Sequence, residues 1–162
     1  MSKTMKDILG QEMVAEGQFA PDFTLPTTQG HFTLSELQGK KAVLLYFMRE
    51  FSCAICRQTT VQLGRLYHET FTTNEVEVVV IGGGSPAEAE KLAAIYKLPF
   101  AVAADPNREV YSRYGLDKAA GIIQRSGSIL VDKAGRVRYV QRAILPTGSL
   151  SKSEVVEAVK AL

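Results

Sequence analysis

The residues of this chain best suited to covalent chemistry lie in one short stretch, Arg49-Glu50-Phe51-Ser52-Cys53-Ala54-Ile55-Cys56-Arg57-Gln58. It holds both cysteines of the chain, with two residues between them. At a helix N-terminus, free backbone N–H groups and the helix dipole favour a thiolate. Arg49 and Arg57 add positive charge nearby, and Glu50 opposes it if its carboxylate points inward. Cys56 lies one helical turn beyond Cys53 on nearly the same face. It is therefore spaced to attack a mixed disulfide or sulfenic acid formed on Cys53. An external reductant then restores the dithiol.

Two plainer readings stand beside the redox couple. Free cysteine behaves as a small hydrophobe, so the pair can be core filler of an amphipathic helix. A structural zinc site wants four ligands, and the chain adds only His31 and His68 to the cysteines. Those histidines are not in a metal-binding spacing, and no metal or cofactor is expected. His68 would lie about 22 Å from Cys53 along a straight helix, too far to act as its base.

The cysteines need a scaffold, and the hydropathy pattern supplies one. Ala42–Met48 is continuously apolar, as in a strand buried on both faces. A helix is predicted from Cys53 to about Thr70, with Ile55, Val61, Leu63, Leu66 and Tyr67 on its apolar stripe. Cys53 thus sits where a buried strand ends and a helix begins, the edge at which open α/β sheets bind ligands. A second central strand ends in Gly82-Gly83-Gly84. A helix follows it, with Ser85 as N-cap, Pro86 at its first position and Glu88 completing a capping box. The glycines fit neither phosphate-loop pattern, and a tight turn beside the cysteines is expected.

Further elements complete an α/β pattern. Phe23–Leu25 and His31–Thr33 form an early hairpin, and Thr33 to Glu36 has capping-box spacing, with Gly39 closing that helix. A short strand precedes Asp105, and a helix runs from there to Tyr114. Ile129–Asp132 and Val137–Gln141 form a late hairpin. Ser151 caps the last helix. Tyr111, Tyr114 and Tyr139 are expected in the core or at its boundary. Parallel crossovers and antiparallel hairpins imply a mixed sheet flanked by helices.

Composition narrows the partners. The 162 residues suit one domain with a real core. Nineteen basic and 17 acidic side chains leave a net charge of +2, too little to imply nucleic acid or a membrane surface. No transmembrane run and no signal-peptide pattern is evident, so a cytoplasmic location is expected. A close cysteine pair there is more often catalytic or metal-binding than a structural staple.

Ala20-Pro21-Asp22-Phe23-Thr24-Leu25, with "LSELQGKKAVLLYF" after it, resembles the opening of the alkyl hydroperoxide reductase / thiol-specific antioxidant family. "LPFAVAADPNREVYSRYGL" and "SILVDKAGRVRYV" are similar to its later elements. The resemblance spans residues 17–162 and leaves 1–16 as an N-terminal extension. It implies a thioredoxin-like fold with an N-terminal β-hairpin extension. "FMREFSCAICRQ" looks like the branch with an aromatic–x–C-x-x-C-R cassette, which brings in Phe51 and Arg57.

By that resemblance Cys53 reduces hydroperoxides, Cys56 resolves it, and a thioredoxin-like protein or small thiol is the reductant. Arg125 matches a family arginine expected to stabilise the thiolate and polarise the peroxide. Tyr46 and Glu50 stand where peroxiredoxins carry the proline and the threonine or serine of P-x-x-x-[ST]-x-x-C. A thiol–disulfide oxidoreductase using the same couple, or a non-enzymatic redox sensor, remains open. Homodimers are common among soluble oligomers, but no residue marks an interface.

Overall fold

A computed structural model describes residues 14–162. Residues 1–13 of the expected extension lie outside the described residues. The elements in chain order are β1 (Thr24–Thr27), β2 (Gly30–Thr33), β3 (Ala42–Phe47), α1 (Ala54–Leu66), β4 (Val76–Gly82), α2 (Pro86–Tyr96), β5 (Ala101–Ala104), α3 (Glu109–Arg113), β6 (Lys118–Ala119), β7 (Ile123–Gln124), β8 (Ser126–Val131), β9 (Val137–Ala143) and α4 (Lys152–Lys160).

Seven strands form one sheet in the order β2-β1-β5-β4-β3-β8-β9. β3, β4 and β5 run parallel, as expected when helices connect them. β8 runs antiparallel to β3 and pairs Phe47 with Gly127. Every residue of β3 is buried, because apolar layers cover both faces of the strand. Leu44, Tyr46 and Met48 face Cys56 and Leu63 of α1 and Val155 of α4. Val43, Leu45 and Phe47 face Val110 and Tyr111 of α3, together with Tyr114. Burying one such large apolar side chain contributes about 1.5–3 kcal/mol.

Local expectations fare unevenly. Ser85 and Glu88 form both bonds of the capping box, and Ser151 accepts from the Glu154 N–H. Thr33, however, caps nothing. Its hydroxyl pairs with that of Thr24 across the hairpin, 2.7 Å away, and Leu34–Leu37 is a short 3-10 turn. The helix predicted from Asp105 begins only at Glu109, because Asp105 itself caps it. The Asp105 carboxylate accepts from the N–H groups of Val110 and Tyr111 at 2.9 and 3.2 Å.

The cysteine helix is regular only to Leu66 and continues as a π turn over Tyr67–Phe71. Its buried stripe is Cys56, Thr60 and Leu63. Ile55, expected on that stripe, is 39% exposed, since it lies a residue off the inward face. The small β6–β7 hairpin was not expected from the sequence.

Candidate active site

Cys53 is the N-cap of α1. Its backbone is extended, and its Sγ accepts from the Cys56 N–H at 3.4 Å. A thiolate here would be held by a main-chain donor at the positive end of the helix. Cys53 is partly exposed and Cys56 is fully buried, and both are free thiols. Cys53 is therefore the more accessible of the two, with Cys56 buried one turn further along the helix.

The Cys56 sulfur has polar neighbours of its own. Its Sγ accepts from the Arg49 N–H at 3.4 Å. The Tyr46 hydroxyl lies within hydrogen-bonding reach of it as well. Burial pushes the Cys56 thiol up to about 11, and the adjacent Cys53 adds to the rise. The Tyr46 hydroxyl is 3.0 Å from Ser149 Oγ, which donates to the Pro146 carbonyl at 2.7 Å. Burial raises the Tyr46 phenol well above its ordinary value, so it remains a neutral donor. Tyr46 is thus the buried floor beneath Cys56. Its sequence signal was visible only as a missing proline.

The loop from Arg49 to Ser52 is held at several points. Arg57 Nε donates to the Phe51 carbonyl at 2.6 Å, and Cys53 N donates to the Glu50 carbonyl at 3.1 Å. The Phe51 ring is buried against the glycine run. A Cβ on Gly82 would lie 2.3 Å from that ring, and one on Gly84 2.8 Å from it. Gly83 is occupied in the same way by the Arg108 guanidinium, 2.3 Å from where a Cβ would be. None of these three glycines has a positive φ. The chain bends at Gly83 and Gly84 beside the cysteine loop, as expected, and the three glycines also make room for Phe51 and Arg108.

The other expected residues divide. Arg49 contributes its backbone N–H to Cys56, as described. Glu50 is exposed, and its carboxylate accepts from Ser52 Oγ at 3.4 Å, so it does not point inward. Arg125 immediately precedes β8, and its guanidinium donates to the Asp117 carbonyl at 3.3 Å. The neighbouring Arg142 guanidinium is held below its ordinary value, first by burial and then by the charge of Arg125. No hydrogen bond among the described residues joins Arg125 to either cysteine. His68 is exposed and stacks edge-on against Tyr67. Tyr111 and Tyr114 are buried, while Tyr139 is only partly so.

Arg108 and Tyr111 were missed as site residues. Arg108 sits in the left-handed region at φ 54°, donates to the Arg49 carbonyl at 3.3 Å, and lies 5.0 Å above the Tyr111 ring. Such long-range contacts leave no periodic trace in a sequence. Among the described residues, no cluster of three or more His, Cys, Asp or Glu is suited to a metal.

A family model described as the AhpC/TSA family matches residues 17–140. The chain belongs to the AhpC/TSA family. It is 32% identical to peroxiredoxin 2 of Picrophilus torridus over 153 residues, covering 90% of this chain and 74% of the relative. It is 30% identical to a putative peroxiredoxin of Mycobacterium tuberculosis, covering 84% and 90% respectively.

Among solved structures it superposes on the peroxidoxin BcpB of M. tuberculosis with a TM-score of 0.78, at 18% identity and 92% and 98% coverage. A putative thiol:disulfide interchange protein DsbE of Chlorobium tepidum matches with a TM-score of 0.72, at 25% identity and 90% and 99% coverage. The fold is thioredoxin-like, and this AhpC/TSA protein is a peroxiredoxin-like thiol oxidoreductase.

Proposed function

We propose that this protein reduces hydroperoxides through Cys53, with Cys56 as the resolving thiol. The observation that carries the reading is the partly exposed Cys53 at the α1 N-cap, with Cys56 buried one turn further along the helix. The Cys53 thiolate attacks the terminal oxygen of ROOH. The O–O bond breaks, Cys53 becomes a sulfenic acid, and RO⁻ leaves and takes a proton from solvent. Cys56 then attacks the Cys53 sulfur. Cys56 does so as a thiolate, having lost its proton to solvent; an S–S bond forms, the S–O bond breaks, and the hydroxide that leaves takes a proton from solvent as water. A thioredoxin-like dithiol or a small thiol supplies two electrons to reopen the disulfide. Phe51 and Arg57 fix the loop that carries Cys53, and the Arg49 N–H serves Cys56. Arg125, at the same end of the sheet, is assigned to peroxide polarisation on the family resemblance. The cycle suits a reducing cytoplasm, and the chain acts alone or as a homodimer.

One feature favours a second reading, thiol–disulfide exchange. Glu50 occupies the place of the peroxide-binding hydroxyl and points to solvent. The test is single-turnover thiol loss. Fully reduced protein receives one equivalent of hydrogen peroxide, beside Cys53→Ser and Cys56→Ser. Rapid loss of two thiols, abolished in Cys53→Ser, with a sulfenic acid trapped in Cys56→Ser, is expected. Loss no faster than that of free cysteine refutes the peroxidase and leaves the disulfide exchanger.

A further inference from the structure

The face of the sheet opposite the cysteines reaches the resolving thiol through the backbone just past the end of β3. Tyr111 belongs to α3, on the far side from α1, and is fully buried. Its hydroxyl lies 2.5 Å from the Met48 carbonyl oxygen and 2.9 Å from that of Ile81, so its proton is shared between the two. The Met48 carbonyl and the Arg49 N–H belong to one planar peptide unit. That N–H is the one aimed at Cys56 Sγ. A hydrogen bond accepted at the carbonyl polarises the unit and strengthens the donor at its other end. The next peptide unit is held too, because Arg108 Nη1 donates to the Arg49 carbonyl.

Both clamps are themselves anchored. Asp105 accepts from the Tyr111 N–H at 3.2 Å, and its carbonyl accepts from the Arg108 N–H at 2.9 Å. The Asp105 N–H donates to the Gly82 carbonyl at 2.8 Å, which ties this turn to the end of β4. Gly83 leaves open the space that the guanidinium fills.

We propose that Tyr111 and Arg108 are positioning residues for the resolving thiol. Together they hold the peptide units from Met48 to Glu50 so that the Arg49 N–H stays aimed at Cys56 Sγ. Cys56 is thereby stabilised as a thiolate at the moment it attacks Cys53. The inference rests on the assignment of Cys56 as the resolving residue, but not on hydroperoxide being the substrate.

The test therefore uses a chromogenic aryl disulfide, which any accessible thiolate attacks. In the first phase the Cys53 thiolate displaces one aryl thiolate and forms a mixed disulfide. In the second, Cys56 loses its proton to solvent, attacks the Cys53 sulfur and releases a second aryl thiolate. Two electrons pass from the dithiol to the aryl disulfide. In Tyr111→Phe and Arg108→Met the second phase is expected to slow at least fivefold, with its pH profile moved to higher pH. The first phase should stay within about twofold of the parent. Arg108→Lys, which keeps a donor for the Arg49 carbonyl, should recover most of the second-phase rate.

An unchanged second phase in both Tyr111→Phe and Arg108→Met overturns the proposal. So does equal slowing of both phases, which marks a general loss of structure. If Tyr111→Phe fails to fold, the half-buried Arg108 pair decides alone. A single phase in the parent, with no second release, would instead refute Cys56 as the resolving thiol.

Discussion

Cys56 combines two properties that oppose each other. Its sulfur is adjacent to Cys53, yet burial pushes the thiol from an ordinary 9.0 up to about 11. Part of the rise comes from Cys53 itself and disappears once Cys53 is oxidised. Closure of the disulfide should therefore accelerate about tenfold per pH unit above neutrality and level off between 9.0 and about 11. Stopped-flow detection of disulfide formation checks this, and a flat profile would assign the proton to a group other than solvent base. Stability follows the same group. Above pH 9 the unfolded chain releases the proton while the native thiol keeps it, so unfolding gains. Below pH 9 both states hold the proton and nothing is lost. The reduced protein should lose roughly 2–3 kcal/mol between pH 9 and 11 on this account, beyond any loss seen in Cys56→Ala. Denaturant titrations of the two proteins across that range are the measurement. Tyr46→Phe tests the floor beneath Cys56. It removes the hydroxyl that donates to Ser149 Oγ and takes away a polar neighbour of Cys56, while Ser149 keeps its bond to the Pro146 carbonyl, so a loss of about 1–3 kcal/mol is expected from its denaturation midpoint.

Elements place the loop that carries Cys53, and the glycine run at the end of β4 is the most sensitive of them. Gly82→Ala puts a methyl 2.3 Å from the Phe51 ring, and that buried ring has to move to admit it. The expected cost is about 1–3 kcal/mol, with slower modification of Cys53 as Phe51 and its loop are pushed outward. Gly64→Ala on α1 makes the opposite case. Its Cβ would meet Pro99 Cδ at an ordinary 3.7 Å, and alanine is the better helix former, so a gain of up to about 1 kcal/mol is expected. Thermal melts of the two variants should move in opposite directions. The same contrast explains what the sequence discloses. β3 is legible because burial on both faces demands an unbroken apolar run. The start of α2 is legible because Ser85, Pro86 and Glu88 act on one another within a few residues. The Cys53–Cys56 spacing is legible for the same reason. The room that Gly82 to Gly84 make is not, because the atoms they admit come from Phe51 and Arg108, well apart in the chain. The late start of α3 is hidden likewise, since Asp105 caps it through backbone N–H groups five and six residues on. Nothing local signals the β6–β7 hairpin, which consists of two residue pairs.

At the scale of the whole molecule, the end of the sheet that carries Cys53 also carries much of the exposed apolar surface. Ile55 follows Cys53 on α1. Ile122 and Ile123 lie in the β6–β7 hairpin just before β8. Ile144 and Leu145 follow Ala143, which pairs with Ser126. Ile122 is 80% exposed and Leu145 65%. Exposed apolar residues gathered at one end of a domain are the usual mark of a contact surface. On the proposed cycle, a reductant bringing its own dithiol against a Cys53–Cys56 disulfide would approach from this end. A small thiol would reach Cys53 without covering the surface, whereas a thioredoxin-like protein would bury it. Ile122→Lys and Leu145→Lys should therefore leave reduction of the oxidised protein by dithiothreitol unchanged. They should slow reduction by a thioredoxin-like protein at least fivefold, because an ammonium then has to be desolvated on docking. Following the two reductants side by side on the preformed disulfide isolates this step from the oxidation that precedes it. Equal rates in the parent and both variants would mean that the protein partner docks elsewhere, and sedimentation of the same variants would then test whether the apolar end of the sheet contacts a second copy of the chain.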